Sequence, residues 1–129
     1  MSIAVIYTDG ACRGNPGESS IGVSILEGDQ EVATISEAIG LATNNVAEYT
    51  ALLEGLKKVK ELGYRKVAVN ADSELMIKQL KREYKVKNPD LKVIFLKLQD
   101  LIKHFDSVSF THVRREFNTR ADELANLAL

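Results

Sequence analysis

The first forty residues contain three β-rich segments joined by connections too short to hold a helix, and this arrangement constrains the fold more than any other feature. The segments span residues 3–11, 21–26 and 31–38, and the connections read RGNPGESS and EGDQ. Short connections between β-rich runs predict antiparallel hairpins. The amino-terminal third of the chain is therefore expected to form three antiparallel strands.

Helical and β patterns alternate along the rest of the chain. TNNVAEYTALLEGLKKVKELG carries apolar residues at helical spacing and predicts a helix from about residue 44 to 62, with Gly63 as its stop. KVAVNA and SVSFTHV predict strands, whereas DSELMIKQLK, PDLKVIFLKLQDLIKHF and NTRADELANLAL predict helices. Because strands joined through helices tend to be parallel, the order βββαβααβα predicts an α/β domain with a five-stranded mixed sheet.

The length and composition favour one domain. A chain of 129 residues is long enough to bury a single core. Cys12 is the only cysteine, so the chain can form neither an internal disulfide nor a thiolate metal cluster, which fits a reducing compartment. The first apolar run is short and breaks at Asp9, unlike a signal peptide or a membrane span. We expect one domain over residues 1–129, monomeric and cytoplasmic, with no membrane contact and no obligate protein partner.

Charge is distributed unevenly along the chain, although the net charge is only −1. Residues 1–50 contain one base and seven acids, whereas residues 51–129 contain sixteen bases and eleven acids. The basic half includes the segment KQLKREYKVK, whose cations around Tyr84 are Lys78, Lys81, Arg82, Lys85 and Lys87. Such a cluster is typical either of a solvated helix end or of a patch that contacts phosphates.

Asp9 is the first candidate functional residue. In the stretch IAVIYTDGACRGNPG it follows an apolar, β-rich run and precedes a glycine-rich loop. Asp-Gly is a common turn dipeptide, so this stretch alone fits a turn as well as it fits a functional carboxylate.

Glu48 is placed unusually for a glutamate. It falls on the helical stripe that also contains Leu52, Gly55 and Val59, and this stripe is expected to face the core. Burying an unpaired carboxylate there would cost several kcal/mol or force it to protonate. Glu48 is therefore either a partly exposed glutamate of the first turn, favoured by the helix dipole, or a functional group.

Asp72 and Asp122 stand at the starts of helices. Asp72 ends the strand VAVNA and fits an N-cap, a role for which Ser73 competes. Asp122 lies three residues after Thr119 and fits the reciprocal side chain of a capping box. Each of these structural interpretations is sufficient when its residue is considered alone.

The four carboxylates are nevertheless expected to converge, because the carboxyl ends of strands line the functional edge of an open α/β sheet. Convergent carboxylates repel each other unless cations neutralise them. Oxygen ligands without cysteine or a histidine pair favour Mg²⁺ or Mn²⁺ over zinc. The candidate metal site consists of Asp9, Glu48, Asp72 and Asp122.

The chain resembles a type 1 ribonuclease H over nearly its whole length. The blocks YTDGACRGNPG, TNNVAEYTALLEGL, ADSELMIKQL and HVRREFNTRADELAN follow the family's order and spacing. The resemblance implies the ribonuclease H-like fold, a five-stranded mixed sheet whose first three strands are antiparallel, with helices on both faces. It also implies an endonuclease that hydrolyses the RNA strand of RNA–DNA hybrids by a two-metal-ion mechanism and leaves 5′-phosphate and 3′-hydroxyl ends.

The resemblance assigns catalytic and metal-binding roles to the four carboxylates, with Mg²⁺ or Mn²⁺ as the cofactor. Asp9 is expected to bridge two ions. Glu48 and Asp72 are expected to serve the ion at the leaving group, and Asp122 the ion that activates water.

The resemblance also implies three substrate contacts. Asn15 and Asn45 match positions that contact the minor groove and the 2′-hydroxyls of the hybrid, and Thr43 matches a contact to a phosphate of the DNA strand. Alternatively, Asn15 is a turn residue, and Thr43 and Asn44 belong to a helix cap.

The chain departs from the family in three places. VRREFN is a short loop without the histidine that many members carry before the last aspartate; His112 lies earlier, in a predicted strand, and fits a structural role. The general-acid role stays unassigned, although Arg115 or Glu116 could occupy that space.

Residues 80–89 are too few for the basic insertion of some members, so we expect KREYKVK to replace part of it and substrate binding to be weaker and salt-sensitive. Glu74 stands where many members have a glutamine that contacts RNA.

Two alternative functions remain open from the sequence: a catalytically weak or silent hybrid-binding module, and a related nuclease that acts on double-stranded RNA. The complete acidic set argues against the silent module, because four unneutralised carboxylates would hinder phosphate binding. GACRGNPG lacks the spacing of a nucleotide-cradling loop, which disfavours a small-ligand domain.

Overall fold

The computed structural model describes residues 2–129 and has the predicted order of strands and helices. The strands are β1 (Ile3–Cys12), β2 (Gly17–Glu27), β3 (Gln30–Ala42), β4 (Lys66–Ala71) and β5 (Ser107–His112). The helices are α1 (Asn44–Glu61), α2 (Glu74–Leu80), α3 (Pro89–Ile102) and α4 (Thr119–Leu127), with a single 3-10 turn at Arg115–Phe117 before α4.

The five strands form one mixed sheet in the order β3-β2-β1-β4-β5. The hairpin connections make β2 antiparallel to both β1 and β3, whereas β1, β4 and β5 run parallel to one another, with helices in the connections that lead to β4 and β5. The predicted sheet is confirmed. The carboxyl ends of the three parallel strands therefore lie at the same edge.

Helices cover both faces of this sheet, as expected. On one face α1 packs on β1 and β2, with Gly55 against Val23, and α3 packs on the outer side of α1. On the other face α4 packs on β2 at Gly22. Successive residues of a strand face opposite sides of the sheet, so Gly22 faces α4 whereas its neighbour Val23 faces α1. The buried core consists largely of aliphatic residues of β1, β2, β4 and α1.

Two strands are longer than the sequence predicts. β2 begins at Gly17 and β3 continues to Ala42, because Gly17 pairs with Ala42 and extends the hairpin through a segment that reads as a loop. The buried hydroxyl of Ser19 donates to the carbonyl of Gly17, which satisfies a polar side chain inside the strand. Across residues 2–129, no helix has the length and apolar character needed to span a membrane.

Candidate metal centre

Asp9 lies inside a strand rather than in a turn, so the Asp-Gly turn interpretation is wrong. Parallel pairing of β1 with β4 ends at Thr8 and Ala71, whereas antiparallel pairing with β2 continues past Asp9, which faces Gly22. Asp9 is thus the first residue of β1 beyond its pairing with β4, at the edge where the parallel strands end. It is 6% exposed.

Glu48 reaches Asp9 because α1 packs closely on β1. A Cβ atom at Gly10 would lie 2.6 Å from the backbone of Ala47 and Glu48, so only glycine permits this approach. The N–H of Gly10 donates to Glu48 Oε1 (2.7 Å) and to Asp9 Oδ1 (3.0 Å). Glu48 is 8% exposed and lies beyond the first turn of α1, so the interpretation as an exposed first-turn glutamate is wrong.

Asp72 and Asp122 are free of the capping roles that their sequence positions suggest. Asp72 follows β4 directly, but Ser73 is the N-cap of α2, and its hydroxyl accepts a hydrogen bond from the N–H of Met76 (3.3 Å). Thr119 is already the first residue of α4, so it cannot form the capping box proposed for Asp122. Both aspartates are partly buried.

The structure brings the four predicted carboxylates to one pocket. Carboxylate oxygens of Asp9, Glu48 and Asp72 all lie within 4.8 Å of one another, and Asp122 lines the same pocket. The pocket has a volume of about 480 Å³. Its other lining residues are Gly10, Ala11, Cys12, Asn44, Arg115, Asn126 and Leu129.

Electrostatics in the pocket disfavour ionisation of the two most buried carboxyls. Burial raises the pKa of Asp9 to about 7, and the charges of Asp72 and Asp122 contribute to the rise. Burial, followed by interaction with Asp9, raises the pKa of Glu48 well above its usual value. Among residues 2–129, the buried Glu48 Oε2 has no hydrogen-bond partner. This chemistry fits a divalent cation, which would supply the missing partner and compensate the charges.

The three predicted substrate residues lie together at the start of α1, next to the pocket. Thr43 is the N-cap of α1 and accepts a hydrogen bond from the N–H of Val46 (3.2 Å), so the capping role expected as an alternative is real. Asn15 Oδ1 accepts from the N–H of Asn44 (3.0 Å), which ties the loop between β1 and β2 to the helix. Asn15, Thr43 and Asn45 are all exposed.

The basic segment, residues 78–87, covers the end of α2 and the loop that follows it. Lys78 Nζ lies 5.0 Å from the centre of the Tyr84 ring and 3.5 Å from Glu74 Oε1. Lys85 and Lys87 are exposed. α2 starts two residues after Asp72 and spans seven residues, so its far end, from which the basic segment continues, lies about 10 Å along the helix axis from its start.

His112 and Arg115 occupy different environments. His112 lies within the predicted strand, as the last residue of β5, and it is exposed, with Nδ1 3.9 Å from Glu74 Oε2. Arg115 lines the pocket, whereas Arg114 pairs with Glu116, Nη1 to Oε1, at 3.5 Å. Within the described part of the chain, no carboxylate lies within ion-pair distance of Arg115.

Sequence reasoning missed the residues that hold the carboxylates in place. Gly10 contributes a donor and a close helix approach, and Gly22 allows α4 to approach the sheet: a Cβ there would overlap the backbone of Ala121 and Ala125. A glycine in the middle of a β-rich run is the available signal for such an approach. Asn118 anchors α4 to β1, and nothing in its sequence context distinguishes it from an ordinary cap.

Comparisons with known proteins identify relatives of the whole described domain. A family model described as "Reverse transcriptase-like" matches residues 7–128. "Ribonuclease HI" of Halobacterium salinarum is 43% identical over 124 residues, which cover 95% of this chain and 62% of that protein. The chain therefore spans less than two thirds of the length of this relative.

Two solved structures are similar along nearly their entire chains. The N-terminal RNase H domain of Rv2228c from Mycobacterium tuberculosis, solved as a fusion with maltose binding protein, has a TM-score of 0.95 and 41% identity, covering 98% of each chain. LC11-RNase H1, isolated from compost by a metagenomic approach, was solved in complex with an RNA/DNA hybrid. It has a TM-score of 0.92 and 42% identity, covering 97% of this chain and 95% of that chain.

Proposed function

The chain belongs to the type 1 ribonuclease H family, and on that premise we propose that it is a metal-dependent endonuclease that hydrolyses the RNA strand of RNA–DNA hybrids. The products carry 5′-phosphate and 3′-hydroxyl ends, and one ribonuclease H domain covers residues 1–129. The observation that carries the proposal is the meeting of Asp9, Glu48 and Asp72 within 4.8 Å around an unpartnered buried carboxylate oxygen.

The donor set fits Mg²⁺ or Mn²⁺. Asp9, Glu48, Asp72 and Asp122 offer only hard carboxylate oxygens, which these cations prefer. When bound, two such ions supply Lewis-acid stabilisation of the phosphate and an activated water. We propose that Asp9 serves both ions, that Glu48 and Asp72 serve the ion on the leaving-group side, and that Asp122 serves the ion on the water side.

Residues around the carboxylates have roles of their own. The N–H of Gly10 orients Asp9 and Glu48 before any ligand arrives, so little reorganisation is needed. Arg115 has a guanidinium without a carboxylate partner in the described chain and lines the pocket, so it can donate to a non-bridging phosphate oxygen. This contact would stabilise negative charge at the reacting phosphate in place of the missing loop histidine.

Substrate recognition is assigned to Asn15, Thr43 and Asn45. Thr43 Oγ1 already accepts from the helix, so its hydroxyl proton is available to a DNA phosphate at the positive end of the α1 dipole. The amide oxygen of Asn15 is likewise occupied, which leaves its NH₂ group to donate to minor-groove acceptors and to the 2′-hydroxyl oxygen. Asn45 lies in the first turn of α1, two residues after Thr43, and is the third proposed contact to the substrate.

We assign the protein to the cytoplasm as a monomer that acts without an obligate protein partner. Its single cysteine fits a reducing compartment.

Cleavage of labelled substrates tests the proposed function. Purified protein is incubated with an RNA–DNA hybrid, duplex RNA or duplex DNA, each with Mg²⁺ or Mn²⁺, alongside Asp9→Asn. Wild type is expected to cut the RNA strand of the hybrid and Asp9→Asn to lose that activity. Binding of the hybrid without cleavage by wild type would instead support a silent binding module. Preferential cutting of duplex RNA would reassign the substrate.

A further inference from the structure

Asn118 links the strand that carries Asp9 to the helix that carries Asp122. It is 1% exposed, and its Nδ2 donates to the carbonyl oxygen of Thr8 (2.9 Å). Thr8 directly precedes Asp9. Asp122 follows Asn118 by one helical turn, and its N–H donates to the carbonyl oxygen of Asn118 (3.2 Å). One side chain therefore joins the backbone beside Asp9 to the turn that presents Asp122.

Asn118 makes this link instead of capping its own helix. It occupies the N-cap position of α4, where asparagine is favoured because its side-chain oxygen can accept from the first turn. Its side chain makes no such bond, and within residues 2–129 its buried Oδ1 has no partner. Because a carbonyl oxygen only accepts, the group that faces Thr8 must be the NH₂, which fixes the orientation of the amide.

The other end of α4 is attached to the sheet independently. The hydroxyls of Ser20 and Ser36 donate to the carbonyl oxygens of Ala125 and Leu124, respectively, in the last turns of the helix. These bonds hold α4 on the sheet without Asn118. The Asn118 link therefore acts on the first turn, where the fourth carboxylate lies.

We propose that Asn118 is a positioning residue whose bond to Thr8 sets the separation of the Asp9 and Asp122 carboxylates for divalent cations. This inference rests on the proposed metal-dependent function. Groups that orient metal ligands in this indirect way affect metal affinity or turnover by about 10- to 100-fold when they are removed.

Two substitutions at Asn118 separate positioning from helix capping. Asn118→Ala removes both the link and any cap, whereas Asn118→Ser keeps a residue favoured at N-caps whose shorter side chain cannot reach Thr8. Both are expected to lower kcat on the hybrid by about 10- to 100-fold with little change in KM. Calorimetric titration without substrate is expected to show weaker Mn²⁺ binding by a similar factor.

Ser36→Ala provides the matched control. It removes a hydrogen bond to the opposite end of α4 (2.6 Å) and is expected to lower the melting temperature while leaving kcat and Mn²⁺ affinity unchanged. A double-mutant cycle adds a second readout: in an Asp122→Asn background, Asn118→Ser is expected to have almost no further effect on Mn²⁺ affinity, because the carboxylate it positions is gone.

Each outcome decides the proposal. Wild-type kcat and Mn²⁺ affinity in Asn118→Ser would overturn it, as would an effect on Mn²⁺ affinity of equal size with and without Asp122. If wild type fails to cleave the hybrid, the proposed function fails, and the Mn²⁺ titration still decides the role of Asn118. Weaker Mn²⁺ binding in Asn118→Ser but not in Ser36→Ala would then support positioning, whereas equal binding, or no Mn²⁺ binding by any variant, would overturn it.

Discussion

Asp9 and Glu48 accept hydrogen bonds from the same backbone donor, the N–H of Gly10, yet they line one pocket together with Asp72 and Asp122. Burial is the largest cause of the rise in both pKa values: it and the neighbouring charges outweigh the interaction with Glu48 that favours ionised Asp9 and the Gly10 hydrogen bond that favours ionised Glu48. The pKa of Asp9 therefore rises to about 7, and that of Glu48 rises as well. Without metal, ionisation at this site therefore opposes folding. The same arrangement is favourable once a cation compensates the charges.

Asp9→Asn is expected to stabilise the metal-free protein, and more so at high pH. A carboxyl with a pKa of about 7 in the folded state and 3.8 as its ordinary value takes up a proton on folding between these values. The free energy of unfolding therefore falls as pH rises through that window. Asparagine cannot ionise, so we expect a gain of about 1 to 3 kcal/mol at pH 8 and almost none near pH 4. Urea unfolding in EDTA, at pH 8 and near pH 4, measures the change in the free energy of unfolding at each pH.

Asp100→Asn is the control for this measurement, because the side chain of Asp100 is 83% exposed and its pair with Lys103 lies far from the pocket. Its effect is expected to be small and nearly independent of pH. A loss of stability in Asp9→Asn of the same size at both pH values would show that the carboxylate is not destabilising in the folded protein.

The sequence predicted the four carboxylates but not the residues that orient them. Glu48 could be predicted because it interrupts an apolar helical stripe, and this anomaly is visible locally. The contacts of Gly10 with Glu48 and of Asn118 with Thr8 join residues 38 and 110 positions apart. No local pattern encodes such contacts, since they exist only after the helices have packed on the sheet.

At the scale of elements, the site depends on how closely α1 approaches β1. Gly10 faces the backbone of the first turns of α1, and a methyl group there would meet backbone atoms that cannot move independently of the helix. At Gly55, further along α1, a methyl group would meet only side chains, the nearest being that of Val23 at 3.2 Å. Gly10 is therefore required for the close approach of α1 to β1, whereas Gly55 leaves enough space for a methyl group.

Gly10→Ala is expected to reduce hybrid cleavage by about 100-fold or more and to destabilise the protein by about 1 to 3 kcal/mol, because α1 must move away from Asp9. Gly55→Ala is the matched control: Val23 can shift slightly, and alanine has the higher helix propensity, so stability is expected to change by about 1 kcal/mol or less. Cleavage assays and urea unfolding measure the two effects. Normal activity in Gly10→Ala would contradict the role given to this contact.

Element boundaries illustrate a different limit of sequence reasoning. The order of strands and helices follows from periodicity and is confirmed, but β2 starts at Gly17 within a stretch that reads as a loop. Ser19 and Ser20 are buried in that part of the strand because their hydroxyls donate to the carbonyls of Gly17 and Ala125. Tertiary hydrogen bonds thus permit polar residues where their composition alone favours a turn.

At the scale of the whole molecule, the acidic pocket and the basic segment occupy different places. The acidic pocket lies at the carboxyl edge of the parallel strands, and the basic segment lies at the far end of α2, which starts at that edge. If the proposed function is right, we expect the phosphate backbone of a hybrid that crosses the pocket to reach these lysines. The net charge of −1 therefore conceals a surface that can attract nucleic acid on one side of the pocket.

Replacing Lys85 and Lys87 together by alanine is expected to weaken hybrid binding and to flatten its dependence on salt. Each lost lysine–phosphate contact should reduce the slope of log affinity against log salt concentration by about one, because one fewer condensed counterion is released. Fluorescence anisotropy with the Asp9→Asn protein, over about 50 to 200 mM NaCl, measures this slope without cleavage. Lys66→Ala is the control and should leave the slope unchanged, because Lys66 is also exposed but lies at the end of β4 away from Asp72. Equal slopes in both variants and the parent would identify the segment as a solvated helix end, and substrate binding would then depend on α1 and the pocket alone.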